Sequence, residues 1–524
     1  GYNIMGWHHQ FTGRVPWFAG LPYEVGDCMS PLMARTTGTN KVACVPACAD
    51  GGDTNVFMYS PPINFSTIHG AWLRYDSYFE KITYPKYVER ATVEVSIDSG
   101  KTWSVVQDVP ANPSPAYFTT HYIDLSTYDF ANNIWIGFRY SNDSTQVPYG
   151  MAGWAIDNVQ VFIPEHKDLA LASMTPNDSL LSYTKQNTGI IHSGIVYNAG
   201  LDTIRSFVVK YQRNGGIVRA AIFTGLKIPR FNTYTFTHPY PDTVNGVGTY
   251  DVKMWVEATG DTNPANDTQK TTIRGAYFNP IKKLAIEEGE ATWNPPSPKG
   301  WVYMNQLATS DVDACQISVH DYDIMADTAY AEYLFYLHYD YVPYILIDRK
   351  KIEVDSFFDV VNVQKHYFGF ADINLDPNLD GNTLTLNAHV KPAIDMDGDF
   401  RLIMVITQDD VTGPSPYYDQ MNNYAGGVRG PMGGFESKPA RVPASDMYYN
   451  FVARSISSVD GSSDTLPRTL IHNNVYDHTF TAKLDPSWHK LRAIVMLLRN
   501  DDTTVLNANK TEWYLNIKTP DVAS

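Results

Sequence analysis

EEGEATWNPPSPKGW, residues 287–301, carries a hydrophobic strand pattern into a helical one, and its reading decides the fold of the middle of the chain. Trp293 precedes Asn294 and Ser297, which keep the spacing of the cysteines in a W-C-x-x-C-P redox loop, and Pro298 completes the pattern. Dithiol exchange needs a low-pKa thiolate to attack a disulfide and a second sulfur to resolve the mixed intermediate. An amide and an unactivated hydroxyl do neither. Around the loop, LAIEEG, CQISVH and YILID read as strands. The residues after Pro298, with Trp301, Met304, Leu307 and Ala308 at helical spacing, read as a helix, as do MADTAYAEYLFYLHY and VDSFFDVVNVQKHYF. This β-α-β-α-β-α order predicts a small α/β domain over residues 276–370.

Pro343, preceded by Val342, stands where a thioredoxin-like domain places the cis-proline that faces its active loop. The expectation for 276–370 is therefore a thioredoxin-like domain lacking its cysteine pair: the fold retained, the reaction lost.

Outward from that domain the chain is β-rich. At 524 residues it exceeds what one core organises, and its 35 Tyr, among much Thr, Val and Asn, favour strands. Aromatics at 13% are ample for folded cores. Residues 1–164 alternate in short strands, with Val93, Val95 and Ile97 set against Thr92, Glu94 and Ser96, and SIDSGKTW supplies a hairpin turn. A jelly-roll sandwich is expected there. Residues 165–275 read as an immunoglobulin-like β-sandwich that spaces its neighbours, and residues 371–524 as a C-terminal β-sandwich carrying a Gly-rich insertion, YYDQMNNYAGGVRGPMGGFESKPARVP. The expected architecture is thus multidomain and mainly β.

Three resemblances accompany this reading. Ser96-Ile-Asp98-Ser-Gly100-Lys-Thr-Trp103, Gly153-Trp154-Ala-Ile-Asp157-Asn158-Val159 and MYSPPINFS (58–66) resemble the MAM-like and cleaved-adhesin jelly rolls of bacterial surface proteins. The second unit looks like a CARDB-type spacer. Over about residues 280–510 the chain resembles the outer-membrane-protein-28-related family of Bacteroidota surface and secreted proteins. That resemblance rests on the WNPPSP loop, Val319-His320-Asp321-Tyr-Asp323-Ile-Met325, and Val342-Pro343 with Ile347-Asp348-Arg349. It rests further on Thr407-Gln-Asp-Asp410-Val-Thr-Gly413 and Gly430-Pro-Met-Gly-Gly434-Phe-Glu436. It implies the exterior face of the outer membrane or secretion, with outer-membrane or secretion-system components as partners. It also implies type IX export and O-glycans on Asp-Ser/Thr-aliphatic tripeptides at Ser179, Thr203, Thr243, Thr328 and Thr465.

Charge and chemistry narrow the function. A net charge of −16 without a basic block disfavours nucleic acid and anionic membranes. Among four cysteines, Cys44 and Cys48 form a C-x3-C pair near Cys28, which reads as one disulfide of an oxidising compartment; a zinc site lacks its fourth ligand, and Cys315 reads as a small buried hydrophobe. Asp157, with Asp53, is a candidate for structural calcium, its alternative a turn-capping carboxylate. DPNLDG (376–381) opens like an EF-hand loop but has Asn387 where the bidentate Glu belongs, so it reads as a turn, as does DMDGD (395–399). His320 reads as a structural histidine at a strand end, with a base paired to Asp321 or Asp323 as the alternative. The sequence holds no H-E-x-x-H, G-x-S-x-G or Walker pattern, and the doublets Glu287-Glu288 and Asp409-Asp410 face opposite sides of a strand, unlike a glycosidase pair.

The leading expectation is a noncatalytic cell-surface or secreted binding protein, with a protein or glycan partner met by the aromatics of residues 413–443 (Tyr417, Tyr418, Tyr424, Phe435). The alternatives are a self-assembling structural subunit of an extracellular array and a hydrolase with accessory domains.

Overall fold

The computed structural model describes residues 6–12, 17–20, 42–45, 54–79, 89–111, 118–142, 153–338, 341–427, 429–512 and 514–515. Strands dominate it, in nine sheets. The mainly β, multidomain architecture expected from the sequence is what the chain adopts.

Two five-stranded antiparallel sheets form the first unit. One runs His8–Thr12, Thr54–Tyr59, Trp135–Asn142, Glu89–Ser96, Ser104–Asp108; the other runs Phe18–Gly20, Val42–Val45, Trp154–Phe162, Trp72–Phe79, Thr119–Asp124. The signature residues are structural. Ser99 and Gly100 turn the hairpin with positive φ, and Trp103 packs edge-on against Phe57, its ring also beneath Gly137, where a Cβ would strike Phe57 at 2.3 Å. Trp154 is buried against Trp17 and donates its indole N–H to Ser77 at 2.9 Å.

The second unit packs Leu169–Thr175, Ser193–Asn198 and Thr233–Thr237 against a five-stranded sheet. Its junction with the jelly roll is aromatic: Phe231 sits between Trp72, Tyr122 and Phe162, and Tyr197 donates to the Tyr122 hydroxyl at 2.6 Å. On its far side Tyr183 stacks on Phe368 with centroids 4.1 Å apart.

Strands from both remaining stretches join in one eight-stranded sheet, ordered Lys350–Ile352, Tyr344–Ile347, Ala285–Glu290, Cys315–His320, Val452–Ile456, Phe400–Gln408, Leu491–Arg499, Thr504–Lys510. The sequence division at residues 370 and 371 therefore falls inside a continuous hydrogen-bonded layer, joined where Ser318 pairs with Val452. Cys315–His320 is buried along its whole length, and an unpaired edge there would leave polar backbone in the core. Helices Pro298–Ala308 and Phe357–Gln364 cover one face around Ile286, Ile345 and Ile347; helix Thr328–His338 covers the other around Ile317, Val319 and Leu346. Beyond the helices, Ala371–Asp380, Thr383–Pro392 and Tyr476–Lys483 form a three-stranded sheet packed on Leu402, Met404 and Ile406. The hairpin partner Lys350–Ile352 escaped sequence reading because it is only three residues long; Asp348 and Arg349, both at positive φ, make its two-residue turn. The EF-hand-like stretch is a hairpin, with Asp376 paired directly opposite Asn387.

Candidate binding groove beside the redox-type loop

The loop after strand Ala285–Glu290 is closed by its own polar groups. Asn294 N–H donates to Ala291 O at 3.1 Å, and Ser297 N–H to Asn294 O at 3.2 Å. Ser297 Oγ accepts from Ala291 N–H at 3.1 Å and donates to Asn294 Oδ1 at 3.3 Å. Asn294 Nδ2 donates to Val342 O at 3.0 Å, across the cis peptide that precedes Pro343. Asn294 thus meets Ser297 on one side and the carbonyl that precedes Pro343 on the other. Ser297 is fully buried, and its hydroxyl is taken up by Ala291 N–H and Asn294 Oδ1.

The Gly-rich insertion covers this loop from one side, which the sequence did not suggest. Gln420 Nε2 donates to Ala291 O and Asn294 O at 3.2 Å each, Met421 N–H donates to Thr292 O at 2.8 Å, and Asn423 N–H to Pro295 O at 3.1 Å. The expectation that its aromatics present a contact surface is corrected at two positions: Phe435 (1% exposed) and Tyr424 (8%) lie in a core with Val302, Met325 and Tyr449. Trp301 meets Phe435 edge-on. Tyr418 is half-buried at the rim of that core, and Tyr417 alone of the four is open to solvent. These glycines serve turns, Gly426, Gly427, Gly430, Gly433 and Gly434 all having positive φ.

Beneath the loop lies a buried acid–histidine cluster. His320 sits with Nε2 2.9 Å from Glu290 Oε1 and Nδ1 2.8 Å from Asp323 Oδ2. Burial alone would lower its pKa, but the two carboxylates outweigh that and hold the imidazolium up to about 10. Asp323 in turn accepts from the N–H of Thr292 and of Met325, fixing the loop to the next strand end. Glu288, fully buried, is pushed well above the usual carboxylate range by burial and by Glu290; Ser318 donates to it at 3.0 Å. Glu287 faces the other side, where Tyr330 O–H at 2.5 Å and Arg349 Nε at 3.4 Å donate to it. The doublet does point in opposite directions, and none of these carboxyls reaches solvent. His320 is a structural ion-pair hub.

The other side of the loop is open. A cavity of about 300 Å³ is lined by Trp293, Asp321, Tyr322, Ala331, Glu332, Phe335, Tyr336, Tyr341, Val342 and Tyr344. The Trp293 indole N–H is held by Asp321 O at 2.8 Å while the side chain remains 48% exposed. Tyr322, Tyr336 and Tyr341 are more exposed still, and Tyr322 O–H donates to Glu332 at 3.3 Å. Sequence reasoning missed these residues. Their signal was present in YAEYLFYLHYDYVPY, where Ala331 with Phe335 and Glu332 with Tyr336 are one turn apart on adjoining helix rows, but the stretch was read only as a helix, with no site assigned to it.

A larger cavity, about 430 Å³, opens at the other end of the sheet beside Asp409, Asp410, Lys490, Arg492, Lys510 and Tyr514. Each of its charged groups has a partner: Asp409 accepts from Tyr514 O–H and Phe451 N–H, Asp410 pairs with Lys490, Lys510 pairs with Asp313, and Arg492 donates to Thr511 O and Glu512 O.

The other predicted positions are dispersed. Cys44 is buried in the jelly-roll core; Cys28 and Cys48 lie outside the described residues, as does Asp53. Asp157 accepts from Asn158 N–H at 2.8 Å at a β-bulge. Calcium takes about six to eight oxygens, and the described residues include no group of three acidic, His or Cys side chains suited to a metal. Cys315 is buried, and burial pushes its thiol up to about 12. Ser179, Thr243, Thr328 and Thr465 are exposed and Thr203 half-buried. No helix among the described residues is long and apolar enough to cross a membrane.

No protein-family model matches the chain, and no curated protein matches it in sequence. Solved structures similar to parts of it include HBP35 of Porphyromonas gingivalis, 13% identical over 47% of this chain and 80% of that one, with a TM-score of 0.34. The K1 cleaved adhesin domain of Lys-gingipain from the same organism is 14% identical over 31% and 92%, TM-score 0.23. A CARDB domain from Pyrococcus furiosus is 16% identical over 21% and 94%, TM-score 0.18. These likenesses are partial and weak, and the functional reading rests on the groove itself.

Proposed function

We propose that this chain is a noncatalytic cell-surface or secreted binding protein whose thioredoxin-like portion has exchanged redox chemistry for ligand contact. One observation carries the reading: the loop that would hold two thiols is capped by Asn294 and buried Ser297, while the cavity beside it exposes the faces of Trp293, Tyr336 and Tyr341. Aromatic faces supply contact area at small entropic cost, and the rigid scaffold holds them in place. The resemblances to cleaved-adhesin, CARDB and outer-membrane-protein-28-related proteins support the same placement on the cell exterior, with type IX export and O-glycans at the exposed Ser/Thr sites as part of the proposal. Calcium at Asp157 would require ligands beyond the described residues, and no step depends on it.

The test is a binding screen of the full chain against peptide and glycan arrays, run beside Trp293→Ala and Tyr341→Ala. Capture that falls at least tenfold in both variants, without loss of melting temperature, supports the groove. Insulin-disulfide turnover or hydrolysis of an arrayed compound by the wild-type chain overturns the noncatalytic reading.

A second reading, a structural subunit, is favoured by the edge strand Val218–Phe223, where Val218 and Ile222 are exposed beside exposed Ile217. An open, apolar edge is a template for pairing with another chain. Concentration-dependent assembly that Ile222→Lys abolishes would establish it.

A further inference from the structure

We propose that the groove beside Trp293 binds a cationic side chain, the ammonium of lysine or the guanidinium of arginine, presented by a peptide segment of a partner protein. This rests on the binding reading above and names the ligand class of that same site.

The charge around the cavity is one-sided. Asp321 and Glu332 line it, and no described lining residue is Lys, Arg or His. Behind it, Asp323 and Glu290 add two further carboxylates against the single imidazolium of His320. No described residue donates a hydrogen bond to the Asp321 carboxylate, and burial, Asp323 and Glu332 together raise its pKa. An anion held at such a cost gains from any cation brought beside it. Low-dielectric walls concentrate that field in the cleft. The larger cavity differs: there Asp410 pairs with Lys490, and Asp409 accepts hydrogen bonds from Tyr514 O–H and Phe451 N–H.

The aromatic walls suit the same ligand. Trp293 is oriented by its N–H bond to the backbone carbonyl of Asp321, lines the same cavity and stays half exposed. Tyr336 and Tyr341, both edge-on to Phe335, extend the wall. Rings flanked by carboxylates attract lysine and arginine both through the ring quadrupole and through charge. The volume suits one long side chain: about 300 Å³ lies at the lower end of small-molecule clefts, roughly 300–1,000 Å³.

The probes are immobilised peptides of randomised sequence carrying one Lys or Arg, the same peptides with acetyl-lysine or citrulline in its place, and a panel of neutral glycans, each offered to the full chain. The expected result is capture by the charged peptides at least tenfold above their neutral twins, weakening with added salt. Asp321→Asn with Glu332→Gln should reduce it to the level of the neutral twins, with the melting curve of the variant confirming its fold. Capture by charged and neutral peptides alike, or by glycans alone, each lost in Trp293→Ala, overturns the cationic assignment while leaving the groove a binding site. Absence of any capture dependent on Trp293 overturns both.

Discussion

Asn294 Nδ2 donates to the carbonyl oxygen of Val342 across 3.0 Å, while Oδ1 of the same amide accepts from the hydroxyl of Ser297. The two side chains in the thiol places therefore touch each other and lock the loop to the segment that precedes Pro343. Their proximity gives a direct test of the redox-type geometry. Asn294→Cys combined with Ser297→Cys should form an intraloop disulfide on air oxidation, visible as loss of two titratable thiols without a dimer. The wild-type chain should show no insulin reduction. Two thiols that stay free, or that link only between chains, would mean that this loop does not hold the geometry assigned to it.

The insertion 413–443 should behave as core. Phe435→Ala removes a ring packed among Val302, Tyr424 and Tyr449 and should cost about 3–5 kcal/mol, the usual range for a buried Phe. Tyr417→Ala, at an exposed site, should stay within about 0.5 kcal/mol. Urea unfolding of the two variants measures both. Equal stability would return the insertion to the role of an open contact loop.

Much of this was legible in the sequence, for identifiable reasons. Pro298 and the spacing of Met304 and Leu307 announced a helix, and all three are buried where helix Pro298–Ala308 meets its sheet. The W-N-P-P-S-P pattern placed Asn294 and Ser297 together because local spacing fixes local geometry. Long-range pairing was not legible: nothing in CQISVH announces that Ser318 will lie beside Val452, more than a hundred residues later. The groove was hidden for a related reason. Tyr336 and Tyr341 have the composition of a core, yet one on a surface helix and the other just beyond it stand exposed. Phe435 failed in the opposite direction, its glycine-rich setting suggesting solvent where the fold supplied a cover.

Cys315 should be chemically silent in the native state. Fully buried, with a thiol held up to about 12 by that burial, it offers almost no thiolate at neutral pH. An aromatic disulfide reagent should leave it unmodified for hours in buffer and label it within minutes in denaturant. Native labelling at a comparable rate would show an opening of the strand that the packing of Ile317 and Leu334 around it does not allow for.

The buried cluster gives a pH dependence whose sign is fixed. Burial opposes the charge of His320, but Glu290 and Asp323 raise its folded pKa from 6.5 to about 10. A group that binds its proton more tightly when folded stabilises the fold fully below its unfolded pKa and loses that contribution as pH climbs through the folded one. Glu288, raised by burial and by Glu290, acts in the same direction. Stability should therefore fall between about pH 6.5 and pH 10, the window set by the two His320 values. His320→Gln should be less stable at pH 6 and should flatten that slope; Glu288→Gln, which keeps a neutral group in place of a neutral carboxyl, should flatten it in part without the loss at pH 6. Melting temperatures of the three proteins across this range are the measurement. Parallel curves would place the proton elsewhere and leave His320 neutral between its carboxylates.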